Sequence, residues 1–502
     1  MTTKKKQQQH SDPFGDIFLP VFELVTILCE KLIEGLIKLV QLLFMEVVFK
    51  DRKKQILKKI ERKDIDCKKL TNLDSSFGYS VTYRRDINIS DIDSRAHSAI
   101  VGASGTGKTS LIDSLILGDL QRNKSVIYID PKSTRAGLEQ FVNLCLYSDS
   151  RCKLFSNFYK GENRLYINPV KSGTTTQIAD RIYKSFTWSE EFYALKCYQA
   201  LRVSIEELKT ENEFISLKTI YQRVLLIADS KFRKHISIKR SEVDGIITRL
   251  ENINKSDFGE LLNHEEGLSF KELRDKNINA YIGISVLGYP EIARSVGKIL
   301  LGDIATSVND VYEKTGVADA INLKPMSLKI DELGAIVLDE FIEILNKCRG
   351  AKLEVTVAMQ SPNDISKVCP DLTQQIFENT SNWFIMRQRM KDSASMLSES
   401  IGTMESLKQT IRIDDGEEQA QGSQRKVEEL IVHSSIIKSL KTGQCILMRQ
   451  NPFKVDLVNV KYIDPLVVLK NLKLINKEPT PIQNKQSSPK RKELIRRSEF
   501  DS

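Results

Sequence analysis

The chain of 502 residues is too long for one ordinary domain and suits two or three, and its 41% hydrophobic share supports a sizeable core. The net charge of +9 does not mark a basic nucleic-acid-binding body: residues 50–69 carry a net +6 and residues 461–502 a net +5, which leaves −2 for everything else. Eight scattered cysteines and five histidines form no C-x-x-C pair, no H-E-x-x-H and no metal-ligand cluster, so a disulfide scaffold and a zinc enzyme are excluded and the thiols read as reduced.

The first element is a polar leader, residues 1–16, followed by IFLPVFELVTILCEKLIEGLIKLVQLLFMEVVF at residues 17–49. Charges at Glu23, Glu30, Lys31, Glu34, Lys38 and Glu46 interrupt it, so it lacks the uncharged apolar run of roughly 18 residues that a bilayer span needs. Glu23, Glu30, Glu34, Lys38 and Gln41 share one narrow helical stripe, and the rest of the circumference is apolar. No small-residue cleavage site follows, unlike in a secretory signal. Three readings stay open for this amphipathic helix: an interfacial membrane helix, a self-associating bundle with its charged stripe inward, or a helix docked on a protein partner. The basic segment behind it completes a unit over residues 17–69 and suits a cytoplasmic flank beside anionic lipid.

Residues 70–172 contain SAIVGASGTGKTSLIDSLI, Ser98 to Ile116, which reads as a short apolar strand, a glycine-rich turn and a helix. Gly102, Gly107, Lys108 and Thr109 fill the pattern G-x-x-x-x-G-K-[ST]. In such a loop the backbone of Gly102, Ala103, Ser104, Gly105, Thr106 and Gly107, with Lys108, Thr109 and Ser110 at the helix start, surrounds the phosphates of a nucleoside triphosphate. Lys108 reaches the β- and γ-oxygens, and the Thr109 hydroxyl suits Mg2+. ATP and Mg2+ are the expected ligands.

Residues 173–275 read as an inserted all-α domain, from QIADRIYKSF, SEEFYALKCYQALRVSIEELK, SLKTIYQRVLLIA and EVDGIITRLENI. Strand-like patterning resumes at INAYIGISVL, and residues 276–462 are expected to complete the nucleotide-binding domain. There MSLKIDELGA ends a short strand on Asp331 and Glu332. A hydrolase needs a carboxylate on the magnesium shell and a group that polarises the attacking water, the roles expected of Asp331 and Glu332. The alternative is an acidic pair that only caps the following helix. Lys329 is unusual in a strand that should be buried on both faces. KLEVTVAMQSPNDI gives a β-branched strand ending in Gln360. In a parallel sheet such strand ends gather on the nucleotide side, where Gln360 can sense the γ-phosphate. DDGEEQAQGSQRK reads as a polar surface loop, and residues 463–502 as a basic disordered tail.

Together these segments resemble the type IV secretion coupling proteins, the TraD/TraG class of conjugative ATPases within the FtsK/HerA-like P-loop superfamily. SVIYIDPKS, with Asp130, Pro131 and Lys132, is similar to their second strand and its turn, and YINPV, with Asn168 and Pro169, to their Asn-Pro element. GLSFKELRDKNINAYIGISVLGYPEIARSVGKILLGDI resembles their re-entry into the sheet after a helical insertion. ENTSNWFIMRQRMKDSASMLSESIGT and QRKVEELIVHSSIIKSLKTGQCILM resemble their carboxy-terminal sheet segments, so the likeness covers residues 90–462. Two departures stand out: a charged amino-terminal stretch in place of clear transmembrane helices, and Lys329 in place of an apolar residue.

The resemblance implies an α/β, RecA-like P-loop NTPase sheet with the all-α domain inserted beside a relaxase or relaxosome, and a membrane-proximal amino-terminal helix. It implies a homo-hexameric ATPase in which an arginine from the neighbouring subunit completes each site, with Arg349 and Arg387 as candidates. It also implies ATP-driven movement of DNA, or of a relaxase–DNA complex, into the channel components of a conjugative type IV secretion system. The setting would be the bacterial cytoplasm at the inner-membrane face, with lipid contact through residues 17–69. DNA strandedness is left open. Two alternatives stand beside it. An FtsK/HerA-like chromosomal DNA translocase is disfavoured by the helical insertion; a nucleotide-gated docking platform with little turnover suits the amino-terminal helix.

Overall fold

Ser98–Val101 is buried along its whole length, and a strand so short must find neighbours on both edges. They come from far down the chain: Ser98 pairs with Thr356 on one side and Asn382 on the other, both in parallel. The computed structural model describes residues 76–466, apart from 230–237, 315, 317–321, 337–340, 367–370 and 415–416, together with 31–33, 35 and 36.

The strands are β1 (Gly78–Ser80), β2 (Arg85–Ile87), β3 (Ser98–Val101), β4 (Ser125–Asp130), β5 (Cys152–Phe155), β6 (Asn279–Gly283), β7 (Met326–Ile330), β8 (Leu353–Met359), β9 (Asn382–Met386), β10 (Thr403–Asp414), β11 (Glu417–Leu430), β12 (Gln444–Gln450) and β13 (Phe453–Val460). Among the described residues, eleven form one sheet in the order β2-β1-β13-β12-β9-β3-β8-β7-β4-β6-β5. From β9 to β5 the pairing is parallel, and β12, β13, β1 and β2 extend it antiparallel. The parallel strands all end on the side where the glycine-rich loop leaves β3. That shared edge gathers the site.

The core on one face joins Ile100, Leu111, Ile116, Tyr128, Phe141, Tyr281 and Phe384. The rings of Tyr128, Phe141 and Tyr281 lie with centroids 5.7, 6.0 and 6.2 Å apart. Each such pair adds about 0.5–1.5 kcal/mol beyond area burial. Here the trio also fixes the Tyr281 hydroxyl under the site.

Lys329 is buried within β7, as the sequence implies, and its burial is compensated. Its ammonium lies 2.7 Å from Asp119 at the end of the loop's helix and donates to Thr356 at 3.1 Å. Lys124 in turn pairs with Glu354 at 2.8 Å and Arg122 with Asp119 at 2.6 Å.

Between β5 and β6 the chain is helical: Thr175–Lys184, Glu191–Thr210, Leu217–Ala228 and Arg240–Lys255, then two short helices, Gly259–Asn263 and Phe270–Asp275. Thr174 and Ser216 start two of these helices with reciprocal capping boxes, each satisfying otherwise orphaned N–H groups. At the root of this lobe Arg181 pairs with Asp303, buried, at 3.1 Å, and also donates to the carbonyl of Pro169. Asn168 donates to the Ile215 carbonyl at 2.7 Å, so the Asn-Pro element is part of the lobe's attachment.

One sequence expectation changes. DDGEEQAQGSQRK is not a surface loop: β10 and β11 pair antiparallel from Thr403↔Leu430 to Asp414↔Glu417, a long ribbon interrupted by one irregularity near Ile411. Twelve- and fourteen-residue strands satisfy each other's backbone groups, which overrides the polar composition. Among the described residues, 403–431 form a compact unit of their own. Nearly all of the amphipathic segment 17–69 and of the tail 463–502 lies outside the described residues. Among the described residues no helix is long and apolar enough to cross a membrane.

Candidate nucleotide-binding site

The glycine-rich loop hangs from two strand ends. The Gly102 N–H donates to the Met359 carbonyl at 3.2 Å and the Ala103 N–H to the Arg387 carbonyl at 3.0 Å. A Cβ on Gly102 would stand 2.7 Å from Met386 Cβ and 2.8 Å from Thr106 Oγ1, so no larger residue fits without displacing the loop. Gly105 and Gly107 take φ of +74° and +105°, open to glycine at no steric cost. The loop is also braced from the end of the chain: the Gly443 N–H donates to the Thr106 carbonyl at 2.9 Å and Thr442 Oγ1 to the Gly105 carbonyl at 3.4 Å.

The helix Lys108–Gln121 then starts with no side-chain cap, whereas Thr134 caps the next helix, Arg135–Tyr147. Its first-turn N–H groups are left for an anion, at the positive end of the helix dipole. The Lys108 ammonium folds back onto the Gly102 and Ala103 carbonyls, at 2.6 and 3.3 Å. Burial lowers its pKa, and the charges of Glu332 and Asp331 work against that.

The pairing of β4 with β7 delivers the acidic pair, with the Asp331 N–H donating to the Ile129 carbonyl at 3.0 Å. Asp331 is buried, and its Oδ2 lies 3.3 Å from Thr109 Oγ1 and 3.3 Å from Lys132 Nζ. Its Oδ1 is buried without a hydrogen-bond partner. Glu332 has left-handed backbone, φ +62° and ψ +58°, and makes no capping hydrogen bond to the 3-10 turn that follows. For a residue with a Cβ this conformation costs about 1–2 kcal/mol. Such strain persists where surrounding structure over-determines it, often at functional sites. Its Oε2 is likewise buried without a hydrogen bond, 4.0 Å from Lys132 Nζ.

Lys132 is the site residue that residue-level reading missed, noted only within the Asp-Pro-Lys turn. Asp130 sets that turn: its carboxylate accepts from the Lys132 N–H at 2.9 Å and from the Tyr281 hydroxyl at 2.7 Å. Burial raises the Asp130 pKa, and these hydrogen bonds oppose it. Burial also works against the Lys132 charge, yet Asp331 and Glu332 hold its pKa above the ordinary value. Asp113, one turn into the loop's helix, is pushed up to about 7, first by burial and then by Asp331 and Asp130.

Gln360 follows β8 directly and is exposed at the edge where the loop is anchored; its carbonyl accepts from the buried Gln388 at 3.2 Å. Gln388, which the sequence reading did not single out, thereby ties the ends of β8 and β9 together. The two arginines separate. Arg387 stands beside the loop it helps to hold, its Nε buried without a partner. Arg349 is exposed four residues before β8, at the opposite edge of the sheet. A seven-residue strand puts about 20 Å between the two edges.

The residues present fit a magnesium–nucleotide. Among the described residues no group of three His, Cys, Asp or Glu could bind a metal by itself. A cation between Thr109 and Asp331 therefore needs phosphate oxygens to complete its shell, and Asp331 Oδ1 has its acceptor capacity unspent.

Loop, uncapped helix, adjacent carboxylates and parallel sheet define a RecA-like P-loop protein. The family described as "TraM recognition site of TraD and TraG" matches residues 325–441, which include Asp331, Glu332, Arg349, Gln360 and Arg387. The bacterial conjugative coupling protein TrwBdeltaN70, unbound monoclinic form, shares the fold with a TM-score of 0.59 at 14% identity, over 81% of this chain and 91% of that one. The plasmid coupling protein TrwB in complex with ADP and Mg2+ gives 0.55 at 18% identity, over 74% and 86%. VirB4 of Thermoanaerobacter pseudethanolicus gives 0.51 at 12% identity, over 77% and 95%. No curated protein matches the chain in sequence. Within the P-loop class, then, this chain has the fold of the conjugative coupling proteins, and residues 325–441 match the family described for TraD and TraG.

Proposed function

We propose that this protein is the coupling ATPase of a bacterial conjugative type IV secretion system and uses ATP hydrolysis to move DNA, or a relaxase–DNA complex, towards the secretion channel. The observation that carries the reading is the meeting of the uncapped glycine-rich loop with Asp331 and Glu332, the latter two inside the segment that matches TraD and TraG. TrwB, whose fold this chain shares, has been seen with ADP and Mg2+ and with an ATP analogue, which supports ATP and Mg2+ as the ligands here.

In this reading the loop N–H groups and Lys108 bind and orient the phosphates, and Lys108 exchanges its loop carbonyls for phosphate oxygens. Thr109 and Asp331 hold the magnesium ion, which supplies charge neutralisation on the β- and γ-phosphates. Glu332 orients the attacking water with the carboxylate its strained backbone presents. Gln360 responds to the γ-phosphate, and its carbonyl passes that response to β9 through Gln388. In this reading Arg349, on the far edge, serves a neighbouring copy in a homo-hexamer, and Arg387, beside the loop, serves its own site. Residues 173–275 form the all-α domain that receives the relaxosome, and residues 17–69 hold the assembly at the cytoplasmic face of the inner membrane.

The test is steady-state ATP hydrolysis by the full chain, with and without single- and double-stranded DNA, beside Glu332→Gln. DNA-stimulated turnover that the substitution abolishes supports the motor. A slow rate indifferent to DNA, from protein assembled into rings, would replace it with a docking platform.

A further inference from the structure

Lys132 occupies an unusual position for an unassigned residue. Its backbone is pinned, because the Asp130 carboxylate accepts its N–H at 2.9 Å, and Asp130 is itself held by Tyr281. Its tip is not: the side chain is 49% exposed. The ammonium lies 3.3 Å from Asp331 Oδ2 and 4.0 Å from Glu332 Oε2, the two carboxylates assigned to the metal and the water. Both carboxylates also keep a buried oxygen without a hydrogen bond: Asp331 Oδ1 and Glu332 Oε2.

A buried and a partly buried carboxylate side by side, with no counter-charge, would be costly. Lys108 does not supply it directly, since its ammonium is bonded to the Gly102 and Ala103 carbonyls. Lys132 therefore carries the direct ion pair. A magnesium–nucleotide brings its own positive charge to Asp331 and competes for the same oxygen. The displaced ammonium sits on a side chain exposed enough to turn towards an incoming phosphate.

We propose that Lys132 is a triphosphate-recognising residue, paired with Asp331 and Glu332 and transferred to the γ-phosphate when magnesium–nucleotide binds. The inference rests on the reading of the loop as a magnesium–nucleotide site. It adds to that reading a second lysine that distinguishes ATP from ADP, because only the triphosphate offers it a partner.

The experiment measures binding of a non-hydrolysable ATP analogue and of ADP, each with Mg2+, to the full-length protein, wild type, Lys132→Met and Lys132→Arg. The methionine variant keeps the length and removes the charge. The expected result is a loss of about tenfold in analogue affinity with ADP affinity changed less than twofold, and partial return of the difference in Lys132→Arg, as one charge-assisted contact implies. Equal loss for both nucleotides, or no change in either, overturns the proposal and leaves Lys132 as a structural counter-charge. If Lys132→Met does not fold, Lys132→Gln replaces it: a selective loss of analogue affinity supports the transfer, and an unchanged analogue-to-ADP ratio overturns it. Failure of the wild type to bind either nucleotide overturns the proposed function itself, a separate result.

Discussion

The Lys329 ammonium lies 2.7 Å from the Asp119 carboxylate, both buried, and so joins the strand that ends in Asp331 to the far end of the helix that begins at Lys108. Burial alone would raise the Asp119 pKa, but Lys329, Lys124 and Arg122 together hold it well below the carboxylate range. Removing one member leaves an uncompensated charge. Lys329→Met should therefore cost on the order of 3 kcal/mol in chemical denaturation. The double variant with Asp119→Leu should recover part of that loss, because both charges then leave together. A double variant no more stable than Lys329→Met would show that the pair is not coupled.

Glu332 combines a left-handed backbone with the carboxylate assigned to the water. Glu332→Gln keeps the strain and removes the charge; Glu332→Asn also removes the charge, but asparagine tolerates this backbone better. Both should abolish turnover, and Asn should melt no lower than Gln. Turnover retained in either variant removes Glu332 from the mechanism.

Burial, with the charges of Asp331 and Asp130, pushes the Asp113 carboxyl up to about 7, above the ordinary value of about 3.9. The folded state thus binds more protons between these values, and stability falls as pH rises through that window. Asp113→Asn removes the effect. The variant should gain on the wild type by on the order of 2 kcal/mol between about pH 4.5 and pH 8, read from denaturation midpoints at each pH. A constant difference across that range would place the Asp113 carboxyl in an ordinary environment.

Gly443 has φ +78° with open space at its Cβ, so Gly443→Ala tests backbone conformation without a clash. The strain should cost about 1 kcal/mol. Its N–H bond to Thr106 would loosen, and nucleotide affinity should drop a few-fold. A stability loss with no change in affinity would mean that this brace does not shape the loop.

The two arginines make opposite predictions in mixed assemblies. If Arg349 serves a neighbouring copy, inactive Arg349→Ala and inactive Glu332→Gln subunits should restore some turnover when mixed, because some sites then receive both residues. Arg387→Ala, beside its own loop, should restore none when mixed with Glu332→Gln, because every site then lacks one of the two residues. Identical behaviour of the two mixtures would remove the distinction.

Part of the site was legible because it is local. The spacing of Gly102, Gly107, Lys108 and Thr109 encodes a turn, a left-handed backbone and an uncapped helix start within eight residues, and the loop takes that form. Asp331, Glu332 and Gln360 were legible for a related reason: strands of a parallel sheet end on one edge, so a polar residue after each apolar run falls near the loop. Lys132 and Gln388 were not, since a lysine in a turn and a glutamine after a strand are ordinary until their neighbours are known.

The sequence by itself determined the loop, the apolar strands, the helical insertion and the candidate carboxylates, because backbone propensity and hydrophobic period act over a few residues. It did not determine that DDGEEQAQGSQRK pairs into a ribbon, that Lys329 has its counter-charge 210 residues earlier in Asp119, or that Arg349 and Arg387 lie on opposite edges. Those follow from which strands become neighbours. Strand order is a property of the whole sheet, where burial and backbone pairing are satisfied together, and only the tertiary structure decides it.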